Sequence, residues 1–360
     1  MPLARFQESP PTLPDRPRYM GPAILGINNE STWAAGSPSW ATMAADVQAA
    51  GGKVTGHRIY ARDNDTSYKL LDPDIAARHN AGAAAVTSLR MNAHDWATYK
   101  SGNATTNGIV DAMFDALMAL DYTTPGHAPF SFVCFDPEMP RLGTPWGGTH
   151  GTPAEWKLMN NFLYERLRSR GAGNERVLVA FCVHHFALTR NSTKSGAVAL
   201  GSAACAASDY FDADVDEHTD VHGPDLYNKS VDNRNVSPSP AVPDWSLPSA
   251  LCDDYDTWMG NVGADLAKQR CCIEGDFGET GFTKYGDTGQ ATSSWPTSRA
   301  HDSTLGTSKQ ALFNDLPNVV ARPPWLGWCY WNDDERFDST TRAKTGFLSA
   351  AAALAGVTKS

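Results

Sequence analysis

The chain has 360 residues, 41% hydrophobic and 10% aromatic, which is enough to bury a large core and is an ordinary length for one elaborated α/β barrel. Lys and Arg number 30 against 40 Asp and Glu, a formal net charge of -10; a nucleic-acid partner needs clustered cations that are absent here, whereas a neutral partner such as a polysaccharide is compatible with this balance. No run reaches the length of about 18 apolar residues that a membrane span requires, so no membrane insertion is expected.

Residues 1–22 carry six prolines and little apolar periodicity, and read as an extended N-terminal arm ahead of a single domain over 23–360. The opening MPLARFQESPPTLPDRP lacks the apolar core of a secretory signal, so synthesis in a cytoplasm without a signal peptide is expected. Seven cysteines, at 134, 182, 205, 252, 271, 272 and 329, form an odd set with several members inside apparent strands, which points to reduced, buried thiols rather than a disulfide framework.

From Ala23 onward short apolar runs alternate with helical patterns. The runs are Ala23–Ile27, Lys53–Tyr60, Ala83–Arg90, Phe130–Phe135, Arg176–His184, Asp220–Tyr227, Cys271–Phe277 and Trp325–Trp331. Helix-like stretches between them are clearest at Val110–Leu120, Pro153–Arg170, Cys252–Gln269, Ser308–Leu316 and Thr341–Ala355. Strands buried on both faces read as continuous apolar runs, and their alternation with helices implies parallel pairing through right-handed crossovers. Eight such units predict a (β/α)8 TIM barrel. An open doubly wound sheet is the rival, but no Gly-rich phosphate fingerprint follows the first strand. The long loops follow strands 5, 6 and 7 and include the Pro/Ser-rich stretch Pro238–Pro248 and the Gly/Ser/Thr-rich stretch Gly281–Ser308.

Polar residues collect where the runs end: Asn28, Asp63, Arg90 and Asn92, Asp136 and Glu138, His184 and His185, Asp225 and Tyr227, Glu274 and Asp276, then Trp331. A parallel barrel brings all these ends to one rim, where the catalytic loops of such barrels lie. Glycoside cleavage needs one carboxylic acid to protonate the leaving oxygen and a second carboxylate to attack or to activate water. Glu138, in Phe132-Val-Cys-Phe-Asp-Pro-Glu-Met-Pro-Arg141, is the first candidate; the second lies in Cys272-Ile-Glu-Gly-Asp-Phe-Gly-Glu279. The competing structural reading makes Asp136, Asp276 and Glu279 helix caps or partners of Arg141 and Arg90. The acidic run Asp212-Ala-Asp-Val-Asp216 lacks the glycine and closing Glu of a calcium loop, and the adjacent His184 and His185 point to opposite strand faces. Neither predicts a metal, and no cofactor is expected; one of the two histidines, His185, is kept as a sugar contact.

Taken in order, these segments resemble glycoside hydrolase family 26, the β-mannanase family of the retaining (β/α)8 clan. Ala83-Ala-Ala-Val-Thr-Ser-Leu-Arg-Met-Asn92 is similar to its strand 3, and Pro137-Glu138-Met139 to the His-Glu-Met that carries its acid/base. Trp146-Gly-Gly, Thr152-Pro-Ala-Glu-Trp-Lys-Leu and Arg176-Val-Leu-Val-Ala follow in the family's order. Val221-His-Gly-Pro-Asp-Leu-Tyr227 resembles strand 6, Ile273-Glu-Gly-Asp-Phe-Gly278 the Ser-Glu-Phe-Gly nucleophile strand, and Trp328-Cys-Tyr-Trp-Asn-Asp333 strand 8.

The resemblance implies a retaining mechanism with Glu138 as acid/base and Asp276 or Glu274 as nucleophile. Tyr227 would orient the nucleophile, Trp331 and Trp146 would stack sugars, and Arg90 and Asn92 would bond hydroxyls; Asp136, His185 and Asp225 complete the expected sugar contacts. The chain departs from the pattern at three places: Pro137 replaces the family's His, Arg90 replaces the strand 3 His, and Asp276 aligns with the nucleophilic Glu. The expected function is cleavage of a β-linked polysaccharide, mannan-like or a cell-surface glycan. The alternative is a non-catalytic glycan-binding or structural protein on the same barrel. A bacteriophage tail protein, assembled without export and docked to other tail proteins through the arm, would reconcile a polysaccharide substrate with the absent signal.

Overall fold

In the computed structural model of the chain, residues 16–28, 40–63, 73–91, 94–100, 102–136, 150–183, 188, 207–227, 247–276, 304–330 and 342–360 are described. Eight parallel strands close a barrel: β1 (Ile24–Asn28), β2 (Gly56–Arg62), β3 (Ala84–Arg90), β4 (Ser131–Phe135), β5 (Val177–Phe181), β6, split into Val221–His222 and Asp225–Tyr227, β7 (Gln269–Asp276) and β8 (Trp325–Tyr330). Neighbours in sequence are neighbours in the sheet, and β8 pairs with both β7 and β1, which leaves no edge. The expected (β/α)8 barrel is the fold observed, and the eight apolar runs are its eight strands.

Helices α1 (Trp40–Ala49), α2 (Pro73–Asn80), α3 (Trp96–Lys100), α4 (Ala104–Met118), α5 (Pro153–Arg168), α6 (Ala213–Glu217), α7 (Pro248–Val262), α8 (Thr304–Val320) and α9 (Arg342–Leu354) form the outer ring. Local chemistry sets their ends. Asn103 caps α4 by accepting from the backbone N–H of Thr105 and Thr106, so this helix starts six residues before the expected Val110. Thr152 and Glu155 form a reciprocal capping box on α5, with Pro153 in the first turn. α7 opens on Pro248 rather than Cys252 and stops at Val262, because Gly263 takes a left-handed φ of 75° and turns the chain toward β7 instead of extending the helix to Gln269.

The core has two layers. Alternate strand residues, among them Phe132, Leu178, Val221, Ile273 and Leu326, fill the barrel, while the intervening ones, such as Val133, Val179 and Phe181, pack on the helices. Gly327 permits the close join of β8 to β1: its φ is 154°, and a Cβ there would lie 1.9 Å from the Ile24 carbonyl oxygen.

The amino-terminal end of the barrel is plugged by Tyr19, a residue of the segment expected as an arm. Its ring lies 5.5 Å from Phe130 and 5.7 Å from Phe132, and its backbone exchanges two hydrogen bonds with the Gln269 side chain, of 2.7 and 2.9 Å. Residues Gly21–Pro22 then pair antiparallel with Thr358–Lys359, tying the segment ahead of β1 to the segment after α9. Six of the seven cysteines are described, and all six are buried free thiols. No described helix is long and apolar enough to cross a membrane.

Three buried histidines lie in this framework. Burial, with Arg78 and His79 nearby, holds His57 down to about 3; burial outweighs the Asp216 partner of His222 and holds it down to about 4; His79 is also lowered, chiefly by burial. Unfolding returns each to an ordinary value of about 6.5, so between that pH and the folded values only the unfolded chain binds these protons. Stability from these residues is therefore complete above about pH 6.5 and is lost as the pH falls toward 4. Urea unfolding should show this as a loss of at most about 1.4 kcal/mol per pH unit for each histidine, and His57→Phe should flatten the dependence. A wild-type stability that does not fall between pH 6.5 and 4.5 would contradict this account.

Candidate active site

The mouth of the barrel is formed by the carboxyl ends of the strands, and the expected site residues that the structure describes gather there. Arg90 ends β3, Asp136 follows β4, and Asp225 opens the second half of β6. Glu274, Asp276 and Tyr227 are placed by backbone register: Asp225 aligns with Glu274 and Tyr227 with Asp276 across the β6–β7 pair. Between the two acidic positions of β7, Gly275 lies against Trp328 of the neighbouring strand β8, where a Cβ would lie 2.0 Å from the indole nitrogen. Glu138, Asn92, Trp146, His185 and Trp331 lie outside the described residues.

Below the mouth the barrel interior is not purely apolar. Arg58 is fully buried; it donates to the Val86 carbonyl at 3.1 Å and to the Ser88 hydroxyl, which in turn lies 2.6 Å from the Cys134 thiol. The guanidinium also lies 4.5 Å from the centre of the Tyr60 ring, and Arg90 lies 4.1 Å from the same centre. Tyr60 is thus a shared aromatic support for two cations, one in the interior and one at the rim. Such contacts offset part of the desolvation cost of each guanidinium. Sequence reasoning kept Arg90 and missed Arg58 and Tyr60; the signal was present, since positions 58, 60 and 62 share one face of β2 by the period of two.

Asp136 is the most constrained acid at the rim. Its φ of 47° is the one positive value among described non-glycine residues. Asp tolerates this region better than most residues, yet here it precedes Pro137, which normally drives the preceding residue to extended backbone. Such a conformation costs on the order of 1–3 kcal/mol and is held by its surroundings. The Asp136 backbone N–H donates to the Leu89 carbonyl at 2.7 Å, and the Trp96 indole donates to the carboxylate Oδ2 at 2.7 Å. The carboxyl is fully buried, and burial pushes it up to about 7 against the Trp96 hydrogen bond and the nearby His150 and Arg90 charges.

Asp63, at the end of β2, builds a second rim cluster. Its Oδ2 accepts from the His94 backbone N–H at 3.0 Å and the Tyr99 hydroxyl at 3.1 Å, and lies 3.0 Å from His94 Nδ1. Burial above all holds the thiols of Cys182, Cys271 and Cys272 well above the usual range, so these three are uncharged. Among the described residues no group of three or more His, Cys, Asp or Glu could hold a metal ion.

No family model matches the chain, and no curated protein does either. Solved structures match it in fold. A protein designated GH26C from Muricauda sp. MAR_2010_75 superposes with a TM-score of 0.54 at 10% identity, over 92% of this chain and 85% of that one. A GH26 β-mannanase from Bacteroides ovatus gives 0.51 at 14% identity over 91% and 88%, and a GH5-4 broad-specificity endoglucanase from Clostridium longisporum gives 0.53 at 13% over 91% and 96%. At such identities the likeness is one of fold: the barrel is of the kind seen in these glycoside hydrolases.

The Arg58–Tyr60–Arg90 stack yields a direct test. Tyr60→Leu removes the ring both guanidiniums face and should lower the unfolding free energy by about 1–3 kcal/mol, whereas Tyr60→Phe, which keeps the ring, should cost less. Equal losses in the two variants on chemical denaturation would show that the ring face contributes nothing.

Proposed function

We propose that the protein is a glycoside hydrolase acting on a β-linked polysaccharide, mannan-like or a cell-surface glycan, by a retaining two-carboxylate mechanism. The observation that carries this reading is the register of β6 and β7, which aligns the acidic positions 274 and 276 with Asp225 and Tyr227 at the same rim from which β4 runs into Asp136, Pro137 and Glu138. The likeness of the barrel to glycoside hydrolases supports the reaction class.

In the proposed mechanism Glu138 donates its proton to the glycosidic oxygen as the bond to the anomeric carbon breaks. Asp276 or Glu274 attacks that carbon from the opposite face and forms a glycosyl ester. Ionised Glu138 then takes a proton from water, the oxygen of that water displaces the carboxylate, and both acids return to their starting states. Asp is one methylene shorter than Glu, and attack requires the reacting atoms within about 3–3.5 Å, so Asp276 can serve only if backbone or sugar sits closer than a Glu would need. Tyr227 would orient the nucleophile, Arg90, Asn92, Asp225 and His185 would bond sugar hydroxyls, and Trp146 and Trp331 would stack on sugar faces.

A non-catalytic glycan-binding protein, including one carried on a phage tail, is the second reading. Pro137, Arg90 and Asp276 favour it, since each departs from the family residue at its position. Reducing-sugar release from a glycan panel separates the two. The hydrolase reading expects release by the wild type and a fall of about 10²–10⁴-fold in Glu138→Gln, the range general acid catalysis supplies. Equal release by both proteins would remove Glu138 from the mechanism, and glycan binding without release by the wild type would favour the second reading.

A further inference from the structure

We infer that a cavity at the amino-terminal end of the barrel, opposite the rim, is a binding site for a small hydroxyl-bearing phosphate monoester, held by Arg16, Arg18, Lys268 and Asp265. It uses none of the residues of the proposed hydrolytic site and stands whether or not that reading holds.

The cavity has a volume of about 490 Å³, inside the range of roughly 300–1,000 Å³ that small-molecule sites occupy. Two parts of the chain line it. Arg16, Arg18 and Met20 belong to the segment ahead of β1, and Asp265, Lys268 and Gln269 to the connection from α7 into β7. The two hydrogen bonds that the Gln269 side chain makes with the Tyr19 backbone hold one wall to the other, so Arg18 and Met20, on either side of Tyr19, have fixed places.

Charge selects the ligand. Asp220, at the cavity edge, is already satisfied: its carboxylate accepts from the Tyr164 hydroxyl at 3.1 Å, from the Val179 backbone N–H at 2.7 Å and from Arg168. Lys268 donates to the Asp216 carbonyl and, at 2.6 Å, to Asp216 Oδ1, which leaves one of its three ammonium protons. Burial above all holds Lys268 below its usual range, and the Arg16 charge adds to this against the pull of Asp216. Arg16 and Arg18 themselves have no hydrogen bond or ion pair among the described residues. In a chain of net charge -10, two unpaired guanidiniums and a crowded ammonium therefore share one cavity. A purely structural cluster would pair these cations, since like charges left together repel.

A phosphate monoester fits this donor set. Its three acceptor oxygens and charge of about -1.5 to -2 match two guanidinium forks and an ammonium N–H, whereas a carboxylate, with two oxygens and one charge, answers a single fork. Asp265 sets the second requirement. Its Oδ1 accepts from the Ala267 backbone N–H at 2.9 Å, and no cation pairs with it. A carboxylate in an anion site repels a bare phosphate but accepts from a hydroxyl carried on the ester. Met20, 60% exposed, offers apolar surface to the carbon skeleton between the two groups.

Isothermal titration calorimetry of the full chain with glycerol 3-phosphate, inorganic phosphate and glycerol, at one ionic strength, tests the site. Glycerol 3-phosphate should bind with a Kd of about 1 mM or tighter, phosphate more weakly, and glycerol not at all. Arg16→Ala/Arg18→Ala changes one part-buried and one exposed residue, so the circular dichroism spectrum should be kept while the Kd for glycerol 3-phosphate rises at least about tenfold. Asp265→Asn should act with opposite signs: it binds inorganic phosphate more tightly, because a repelling charge is gone, and loses the preference for the ester. Equal affinity in the wild type and the double arginine variant, or no binding of glycerol 3-phosphate up to about 10 mM, would overturn the inference. Weaker phosphate binding by Asp265→Asn than by the wild type would overturn the role given to Asp265.

Discussion

Closure of the barrel is the constraint on which everything else in this molecule depends. Once β8 pairs with β1 as well as with β7, eight parallel strands have nowhere to end but on two rims, and every residue that follows a strand meets the others at one of them. Acids 89 residues apart in sequence, such as Asp136 and Asp225, are neighbours of one mouth for that reason alone. The closure in turn rests on small residues at the seam. Gly26 and Gly327 let β1, β2 and β8 approach more closely than any side chain would permit.

A closed barrel has a dry interior, and this one contains a guanidinium. Burying Arg58 among Val86, Ser88 and Cys134 is unfavourable unless its donors are satisfied, and the hydrogen bonds to Val86 and Ser88 together with the Tyr60 ring do so in part. The same ring carries Arg90 at the rim, so the interior and the mouth are linked through one aromatic residue. On the outer side, Trp96 links the strained turn at Asp136 to the helix layer. The rim is therefore supported from inside by Tyr60 and from outside by Trp96, which is how a site on a rigid scaffold keeps its geometry.

The strands were legible because residues buried on both faces leave continuous apolar runs; each of the eight runs contains most of an observed strand, with ends differing by a few residues. Helices α4, α5, α7, α8 and α9 were legible from their periodicity, with α7 displaced at both ends, but α1, α2 and α3 were not, being short and, in α1, rich in alanine with little contrast between faces. Among candidate site residues, Arg90, Asp136 and Asp225 could be read from their position after a strand. The constraint on Asp136 could not, because it involves Trp96, 40 residues away, and a backbone angle that no residue pattern announces. Arg58 was hidden inside an apolar run, and Tyr19 inside a proline-rich one, since both are buried through contacts with distant strands. The comparison with solved barrels adds the fold and its reaction class in other proteins, and leaves the chemistry of this rim to its own residues.

The central claim is that a carboxylate of β7 attacks the sugar while Glu138 protonates the leaving group. A 2-deoxy-2-fluoro glycosyl fluoride tests it directly, because the ester it forms with a nucleophilic carboxylate is hydrolysed too slowly to escape mass spectrometry. With β-manno, β-gluco and β-xylo versions offered in turn, the account predicts one covalent adduct on the peptide containing residues 270–276, located at Asp276 or Glu274. An adduct on any other strand, or none from any of the three sugars, would contradict it.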